Sequence, residues 1–569
     1  MNINSISIKN AKSFAEEIRI QFQKGVNIFI GPNAGGKSNL MDIINIVLNY
    51  FFLKSWRIDE NKIEGLLKGR NLQSSTIFYP IAEYLDKYER QENVCQEIKI
   101  SFEVEKEDEE NLKIIIGNKK KLCEFEEREF SSKNLENNFF STTVNFTVKN
   151  IVGQKIEFLV KDYKLIHQPS SDENINNTSQ IFLKYLNNFE YIQLLIHEYN
   201  RNQLEENKIP RLYPPLVYFS PYRIPQASHL IVRLAGSDVF NLLENYKRNT
   251  SRSVSTAFDL ANYYFSRKLR LLNNNIELFR QDEEVKFVNK YIKKLGYEEL
   301  EYKEHDPINN FYQTIIKTKG GKFFELSKAS SGEKEILNIL LGISALNVRN
   351  GVIIIDEPEL HLHPLWQKIL LDLFFELSQE KGIQFFLVTH SPNFITPKSI
   401  TNVYRVYAVD GKSSVIPPPT LGQSEKDLFQ IVNVFNNEKI FFTDIVILVE
   451  GDIDNILYKA ILEKLRESIS STMVIEIIEV KGKNNFEKFK KFLDKWKIKS
   501  YIIADKDYKC PPSSDIFILK EGSIETYFSQ IKKNHFEIDD AIKTSIMIKE
   551  NQIEIPKEIK DIFRTILKS

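Results

Sequence analysis

One octapeptide restricts the architecture of this chain more than any other stretch. Gly31-Pro32-Asn33-Ala34-Gly35-Gly36-Lys37-Ser38 fits GxxxxGK[ST]. An apolar run over 26–30 precedes it, and apolar residues at helical spacing follow over 38–52. A strand, a glycine turn and a helix in that order let backbone amides turn inward around phosphate oxygens. Lys37 is expected to reach the β- and γ-phosphates of ATP and Ser38 to ligate Mg²⁺, with Asn33, Gly36 and Asn39 completing the candidate nucleotide contacts. The alternative is a structural glycine turn, which needs no such flanking elements.

Length and charge bound the rest. At 569 residues the chain exceeds one ordinary domain of ~100–200 residues, so two large domains and an insertion are expected. Lys plus Arg (77) equals Asp plus Glu (77), so any basic groove for nucleic acid must be local. Cys95, Cys123 and Cys510 are far apart and carry no zinc spacing, which suits reduced thiols inside a cell. The start lacks an apolar signal core, and no window reaches the ~18 apolar residues of a membrane helix. A cytoplasmic protein without membrane association is expected.

Alternation predicts strands over 3–8, 18–22, 97–104, 113–116 and 143–148. The stretch 179–295 reads as mostly helical, broken by Tyr213-Pro214-Pro215 and Ser220-Pro221-Tyr222-Arg223, and carries no chemical motif. Strand pattern returns over 311–317, 351–355 and 384–388, with a helix over 330–346. Pro417-Pro418-Pro419 marks a break before a second domain. The expected division is 1–178 for the first part of an ATPase head, 179–310 for a helical insertion and candidate dimerisation region, 311–425 for the rest of the head, and 426–569 for a second domain with a helical, charged tail.

Three further motifs belong with the phosphate loop. Val352–Ile355 is an apolar run ending in Asp356 and Glu357. Asp356 is expected to hold Mg²⁺ through water, and Glu357 to orient or deprotonate the attacking water. The alternative is a strand followed by a solvated acidic turn. Ser330-Ser331-Gly332-Glu333 opens a long helix, where free amides favour an anion; Ser330 and Gly332 are the candidate contacts. An ordinary capping box explains the same residues locally. Thr389-His390-Ser391 follows another apolar strand and offers His390 as a γ-phosphate contact. His361 and His363 lie just beyond Glu357; as an HxH metal pair they lack a third ligand at suitable spacing.

A second acidic constellation lies downstream. Asp444–Val449 runs into Glu450, with Asp454 four residues on; a second apolar strand ends at Asp505, with Asp507 two residues on. Helix over 456–465, strand over 474–480 and helix over 486–496 separate them, which describes a parallel sheet with acids at its carboxyl edge. Carboxylates crowded together repel, and protons or a hard divalent cation relieve them. Mg²⁺ or Mn²⁺ there suits phosphodiester hydrolysis. The alternative is that ExxxD and DxD are ordinary solvated acids.

The phosphate loop, SSGE, IIIDEPELHLHP and VTHS resemble the head of SMC, RecF and OLD-type ATPases, although Ala329 and Ser331 depart from the usual LSGG. The later acids resemble a TOPRIM domain, and 438–454 is especially similar to the segment joining head and TOPRIM in OLD nucleases. The resemblance implies an α/β fold: an ABC/SMC-type head with a helical insertion, followed by a TOPRIM parallel sheet. It implies an ATP-bound head-to-head dimer, or a larger assembly such as a tetramer, with the loop at His361 and His363 near the dimer contact. It makes Gln96 a candidate for the glutamine loop. It places Glu450, Asp454, Asp505, Asp507 and Glu525 near metal and gives Glu450, Asp505 and Asp507 catalytic roles, with Lys520 as the accompanying basic residue. No tyrosine near these acids has a context that marks a topoisomerase nucleophile. The function implied is an ATP-regulated, metal-dependent DNA endonuclease of the OLD type, acting in anti-phage defence alone or beside a helicase-like or retron reverse-transcriptase partner, as Gabija and retron effectors do. Two rivals stay open: an SMC/RecF-like DNA-binding ATPase whose TOPRIM domain is catalytically silent, and an ATPase scaffold that holds a partner.

Overall fold

A computed structural model describes residues 1–53, 81–89, 94–141, 151–166, 173–201, 203, 207–219, 231–233, 257–306, 311–325, 328–419, 437–466, 473–511, 513–531 and 536–568. These fall into two compact units. The first comprises Met1–Phe29, Gly36–Phe394 and Ala408–Ser414; the second comprises Ile30–Gly35, Ile395–Tyr407 and Val415–Ser569.

In the first unit, four parallel strands run in the order Leu216–Phe219, Val352–Asp356, Gln384–Val388 and Val26–Ile30. The last three are apolar at nearly every position because both faces of a parallel sheet are covered. Their carboxyl ends deliver Asp356, the Thr389-His390 turn and the phosphate loop. A separate antiparallel sheet orders Ile18–Gln21, Asn2–Lys9, Glu97–Glu103, Lys155–Lys161 and Lys164–Ile166. Here the expected strands at 3–8, 18–22 and 97–104 are present.

Two expectations change. Residues 113–116, expected as strand, lie in the helix Lys106–Gly117. Glu107, Asp108 and Glu109 fill its first turn, the Asp108 carboxylate accepts from the Glu105 amide, and Asp108, Asn111, Leu112 and Ile115 are buried. That i, i+3, i+4, i+7 spacing outweighs the β-branched run. The stretch 179–295 is also not helical alone. It contains the helices Glu173–Arg201 (in part), Ala257–Leu271, Ile276–Gln281 and Glu283–Lys294, but Leu216–Phe219 forms an edge strand of the main sheet. Its Pro214 and Pro215 fall just before the strand, where a missing amide is tolerated. The expected strand at 143–148 and the turn at 220–223 lie outside the described residues.

The second unit holds a parallel sheet ordered Ile475–Glu479, Ile445–Val449, Lys499–Ala504 and Ile516–Ile518. Helices Asp452–Arg466 and Phe486–Lys495 form the crossovers. The tail is part of this domain's core. Helices Ile538–Lys549 and Lys557–Lys568 contribute Ala541, Ile548, Ile559 and Phe563 to one cluster with Ile447, Leu457 and Tyr458.

Candidate nucleotide site and candidate metal centre

The phosphate loop owes its shape to close approach. A Cβ on Gly31 would stand 1.9 Å from the Val406 carbonyl oxygen, and one on Gly35 2.7 Å from it. Gly31 adopts φ +146° and Ala34 a left-handed φ of 59°. Gly36 opens the helix Lys37–Ile46, and a Cβ there would meet the Ser413 hydroxyl at 2.2 Å. Ser413 donates to the Ser13 hydroxyl, which also accepts from Asn39 Nδ2, each at 2.8 Å. Asn39 thus braces the loop's helix. Lys37 is buried, while Ser38 and Asn33 are exposed.

Asp356 ends its strand half-buried, and Glu357 follows at φ 49°, a left-handed conformation that a non-glycine residue holds only under constraint. The constraint is the Glu357 amide donating to the Val388 carbonyl at 2.9 Å. His390 is accessible, yet surrounding protein and then the Lys37 ammonium hold its imidazole below its usual pKa. Its backbone amide donates to Glu359 Oε1 at 2.6 Å, and the Thr389 hydroxyl donates to Oε2 at 2.8 Å. Burial raises the pKa of the Glu359 carboxyl. Gln367 donates to the Glu359 and Leu362 carbonyls and accepts from the Ser391 hydroxyl and Asn393. Glu359 and Gln367 therefore fasten the Asp356 loop to the His390 loop. Sequence reasoning passed over both; the only signal for Glu359 was a carboxylate within an otherwise assigned motif.

Ser330 caps the helix Ser331–Ala345 in a capping box with Glu333. A Cβ on Gly332 would lie 2.9 Å from the His361 carbonyl, so the signature turn sits directly against the loop that follows Glu357. His363 caps its own helix, accepting from the Leu365 amide through Nδ1. Gln96 is fully buried and donates to the carbonyls of Asn10, Leu85 and Asp86, which gives it a stapling task.

In the second unit, the sheet's carboxyl edge gathers the expected acids. Glu450 follows Ile445–Val449, and Asp505 follows Lys499–Ala504. Asp454 accepts from the Gly451 amide at 2.9 Å. Glu525 is brought in by backbone bonds from Leu519 to Ala504 and from Lys506 to Gly522, both 2.9 Å. Burial, opposed by the Gly451 bond and reinforced by the Glu450 and Glu525 charges, lifts Asp454 to a pKa of about 6. Burial and the charges of Asp454, Glu450, Asp507 and Glu525 lift Asp505 to about 7. Tyr458 lies beneath, 2 % exposed, its phenol held protonated by burial and by both aspartates. A buried phenol of that kind is no strand-passage nucleophile.

One basic residue at this edge is Lys483. Its ammonium pairs with Asp507, and that bond, with the Glu450 and Asp505 charges, raises its pKa despite some desolvation. Gly482, at φ 108°, turns Lys483 inward, and its amide donates to the Glu450 carbonyl at 3.1 Å. Lys520 is exposed, and its backbone amide donates to Glu558. Lys483 sits in a KGK turn whose significance is tertiary, so no sequence spacing singled it out.

Five carboxylates, two of them raised by burial and by their neighbours' charges, offer the oxygen-donor chemistry of a hard divalent cation. Among the described residues, no three His, Cys, Asp or Glu side chains make a ready coordination shell. Asp507 is instead neutralised by Lys483.

These shifts predict a pH dependence. Asp454 and Asp505 keep protons in the folded, metal-free state well above the ~3.9 at which an unfolded aspartate loses them. Their folded pKa values, about 6 and about 7, mark the top of the window. The folded state binds more protons there, so stability without metal falls as pH rises through that window. A cation that needs both carboxylates binds more tightly as pH rises over the same range and releases protons. Calorimetric Mg²⁺ titrations from about pH 5.5 to about pH 7.5 check this; an affinity independent of pH would refute it.

A protein-family model described as an AAA ATPase domain matches residues 1–395, and one described as an Overcoming lysogenization defect protein-like TOPRIM domain matches residues 441–507. The Old nuclease of Escherichia phage P2 is 30% identical over 168 residues, 28% of this chain and 28% of that protein. The Retron Vc95 probable ATPase of Vibrio cholerae serotype O1 biovar El Tor is 22% identical over 512 residues, 84% of this chain and 86% of that protein. The solved SMC head domain from Thermotoga maritima aligns at 13% identity and a TM-score of 0.32, covering 74% of this chain and all of that one. No described helix is long and apolar enough to cross a membrane.

Proposed function

The chain belongs to the AAA ATPase domain family and carries an OLD-like TOPRIM domain behind that head, and from that premise we propose an ATP-binding and ATP-hydrolysing, divalent-metal-dependent DNA endonuclease. The observation that carries it is the gathering of Glu450, Asp454, Asp505, Asp507 and Glu525 at one sheet edge, where burial and mutual repulsion raise Asp454 and Asp505. In this reading Lys37, Ser38, Asp356, Glu357 and His390 serve ATP and its Mg²⁺, with Ser330 and Gly332 completing a second copy's site in a head-to-head dimer. The domain division follows the same reading, with Leu216–Phe219 belonging to the head's main sheet: head from 1–178, 216–219 and 311–425, the remainder of 179–310 inserted, nuclease 426–569. The five acids would hold Mg²⁺ or Mn²⁺, which would supply Lewis-acid chemistry and activate water. Likeness to the Old nuclease and the retron ATPase supports a role in anti-phage defence, alone or beside a partner.

The test is plasmid cleavage by the full chain with Mg²⁺ or Mn²⁺, with and without ATP. Metal-dependent nicking or linearisation supports the nuclease, and the ATP lanes give the sign of regulation. One observation favours a second reading. Lys483 already neutralises Asp507, and no three described acids form a ready shell; that suits a silent TOPRIM domain serving as a nucleic-acid platform. Nucleotide-dependent DNA binding with no cleavage in any lane would select it.

Lys483 separates the two readings further. In the nuclease its ammonium, beside Asp507 at the acid-bearing edge, would stand ready to meet the scissile phosphate. Lys483→Ala then lowers cleavage at saturating metal by about 10²-fold, the size typical of losing one transition-state charge partner, and Lys483→Arg recovers most of it. ATP turnover stays unchanged. Full-rate cleavage by Lys483→Ala would remove the lysine from the chemistry.

A further inference from the structure

Resting on the nuclease reading of the acid cluster, we propose that Arg405 is a positioning residue that transmits the state of the phosphate loop to the strands bearing Glu450 and Asp505. The phosphate-loop turn Ile30–Gly35, the segment Ile395–Tyr407 and the TOPRIM domain form one compact unit. Arg405 belongs to it and is 2 % exposed. Its guanidinium donates to four main-chain carbonyls: Nη1 to Trp496 at 3.0 Å and Lys497 at 3.2 Å, Nη2 to Thr443 at 3.3 Å, and Nε to Phe441 at 3.4 Å. Among the described residues no carboxylate pairs with it; Asp444 acts only at a distance.

Those carbonyls occupy informative positions. Phe441 and Thr443 lead directly into the strand Ile445–Val449, which ends at Glu450. Trp496 and Lys497 lead into the strand Lys499–Ala504, which ends at Asp505. The two strands pair in parallel, so Arg405 clamps their amino ends while the acids stand at their carboxyl ends, about 15–20 Å away at ~3.3 Å per residue. The next residue faces the other way: the Val406 carbonyl fills the space that Gly31 and Gly35 leave for lack of a side chain. One dipeptide therefore touches the phosphate loop through its backbone and the roots of both acid-bearing strands through its side chain. Phosphates entering the loop displace Val406, and the rigid five-donor fork moves the two strands together. A methionine of similar length fills the same space without burying a charge.

The experiment uses the full chain and a non-hydrolysable ATP analogue. Hydrogen exchange of the amides in 445–449 and 499–504 is compared with and without nucleotide, in the wild type, Arg405→Met and Arg405→Lys, each checked for an unchanged melting profile. The expected result is a nucleotide-dependent change in the wild type that Arg405→Met loses and Arg405→Lys keeps in part. Cleavage follows: a wild-type nucleotide effect within the usual ~5–150-fold range shrinks to about twofold or less in Arg405→Met, with ATP turnover and nucleotide-free cleavage intact. Exchange in those strands that ignores nucleotide in the wild type overturns the proposal without any variant. An equal nucleotide effect in Arg405→Met overturns it too. If the exchange effect is present and lost on substitution while no protein cuts DNA, the coupling stands and the nuclease reading falls.

Discussion

Replacing Asp505 by alanine abolishes metal-dependent cleavage, on the order of 10³-fold or more, and leaves ATP turnover within about twofold of the wild type. The size follows from position: Asp505 ends the strand Lys499–Ala504 and feels the charges of Asp454, Glu450, Asp507 and Glu525. Removing it takes a donor from the centre of the set. The substitution also carries its own control. A carboxyl raised to about 7 is electrostatically uncomfortable in the folded state. Deleting it removes a desolvated carboxyl and the repulsion from its neighbours, so the metal-free variant should melt no earlier than the wild type near neutral pH. Plasmid cleavage, phosphate release and a melting curve on one preparation decide the matter. Cleavage at full rate would show that the acids are misassigned; cleavage lost together with folding would show a structural role.

Glu357→Gln acts on the other site. It lowers ATP turnover by about 10²–10³-fold while nucleotide binding is kept or tightened, because glutamine preserves shape and removes the carboxylate that orients water. Glu357 holds a left-handed backbone, fixed by its amide bond to Val388, and its charge bears on both His390 and Glu359. A steady-state phosphate assay beside an equilibrium binding measurement separates the two effects. Turnover unchanged with binding intact would move the water-orienting role elsewhere. In the cleavage assay this variant also holds the ATP-bound state, so it reports whether that state licenses or restrains cutting.

Much of this was legible in the chain. Val352–Asp356 and Ile445–Val449 are apolar without interruption, and only a doubly covered parallel strand accommodates that. An acid placed after such a strand must emerge at the carboxyl edge of the sheet, so the sequence alone puts Asp356, Glu450 and Asp505 there. The misread elements were those whose local signal was overruled. Residues 113–116 look like strand, but the acidic first turn and the burial of Asn111, Leu112 and Ile115 commit them to a helix. Leu216–Phe219 is too short to stand out, and only its register with Val352–Ile355 makes it part of the main sheet.

The sequence by itself determined the two kinds of site and their order, because strand, turn and helix chemistry is written in neighbouring residues. Only the tertiary structure decided which lysine faces the acids, which carboxylates keep their protons, and which groups hold the loops in register. Lys483 reaches Asp507 across 24 positions, Glu359 reaches His390 across 31, and Arg405 reaches Trp496 across 91. Electrostatic fields and desolvation depend on distance in space and on what excludes water, and neither quantity is carried by spacing along the chain.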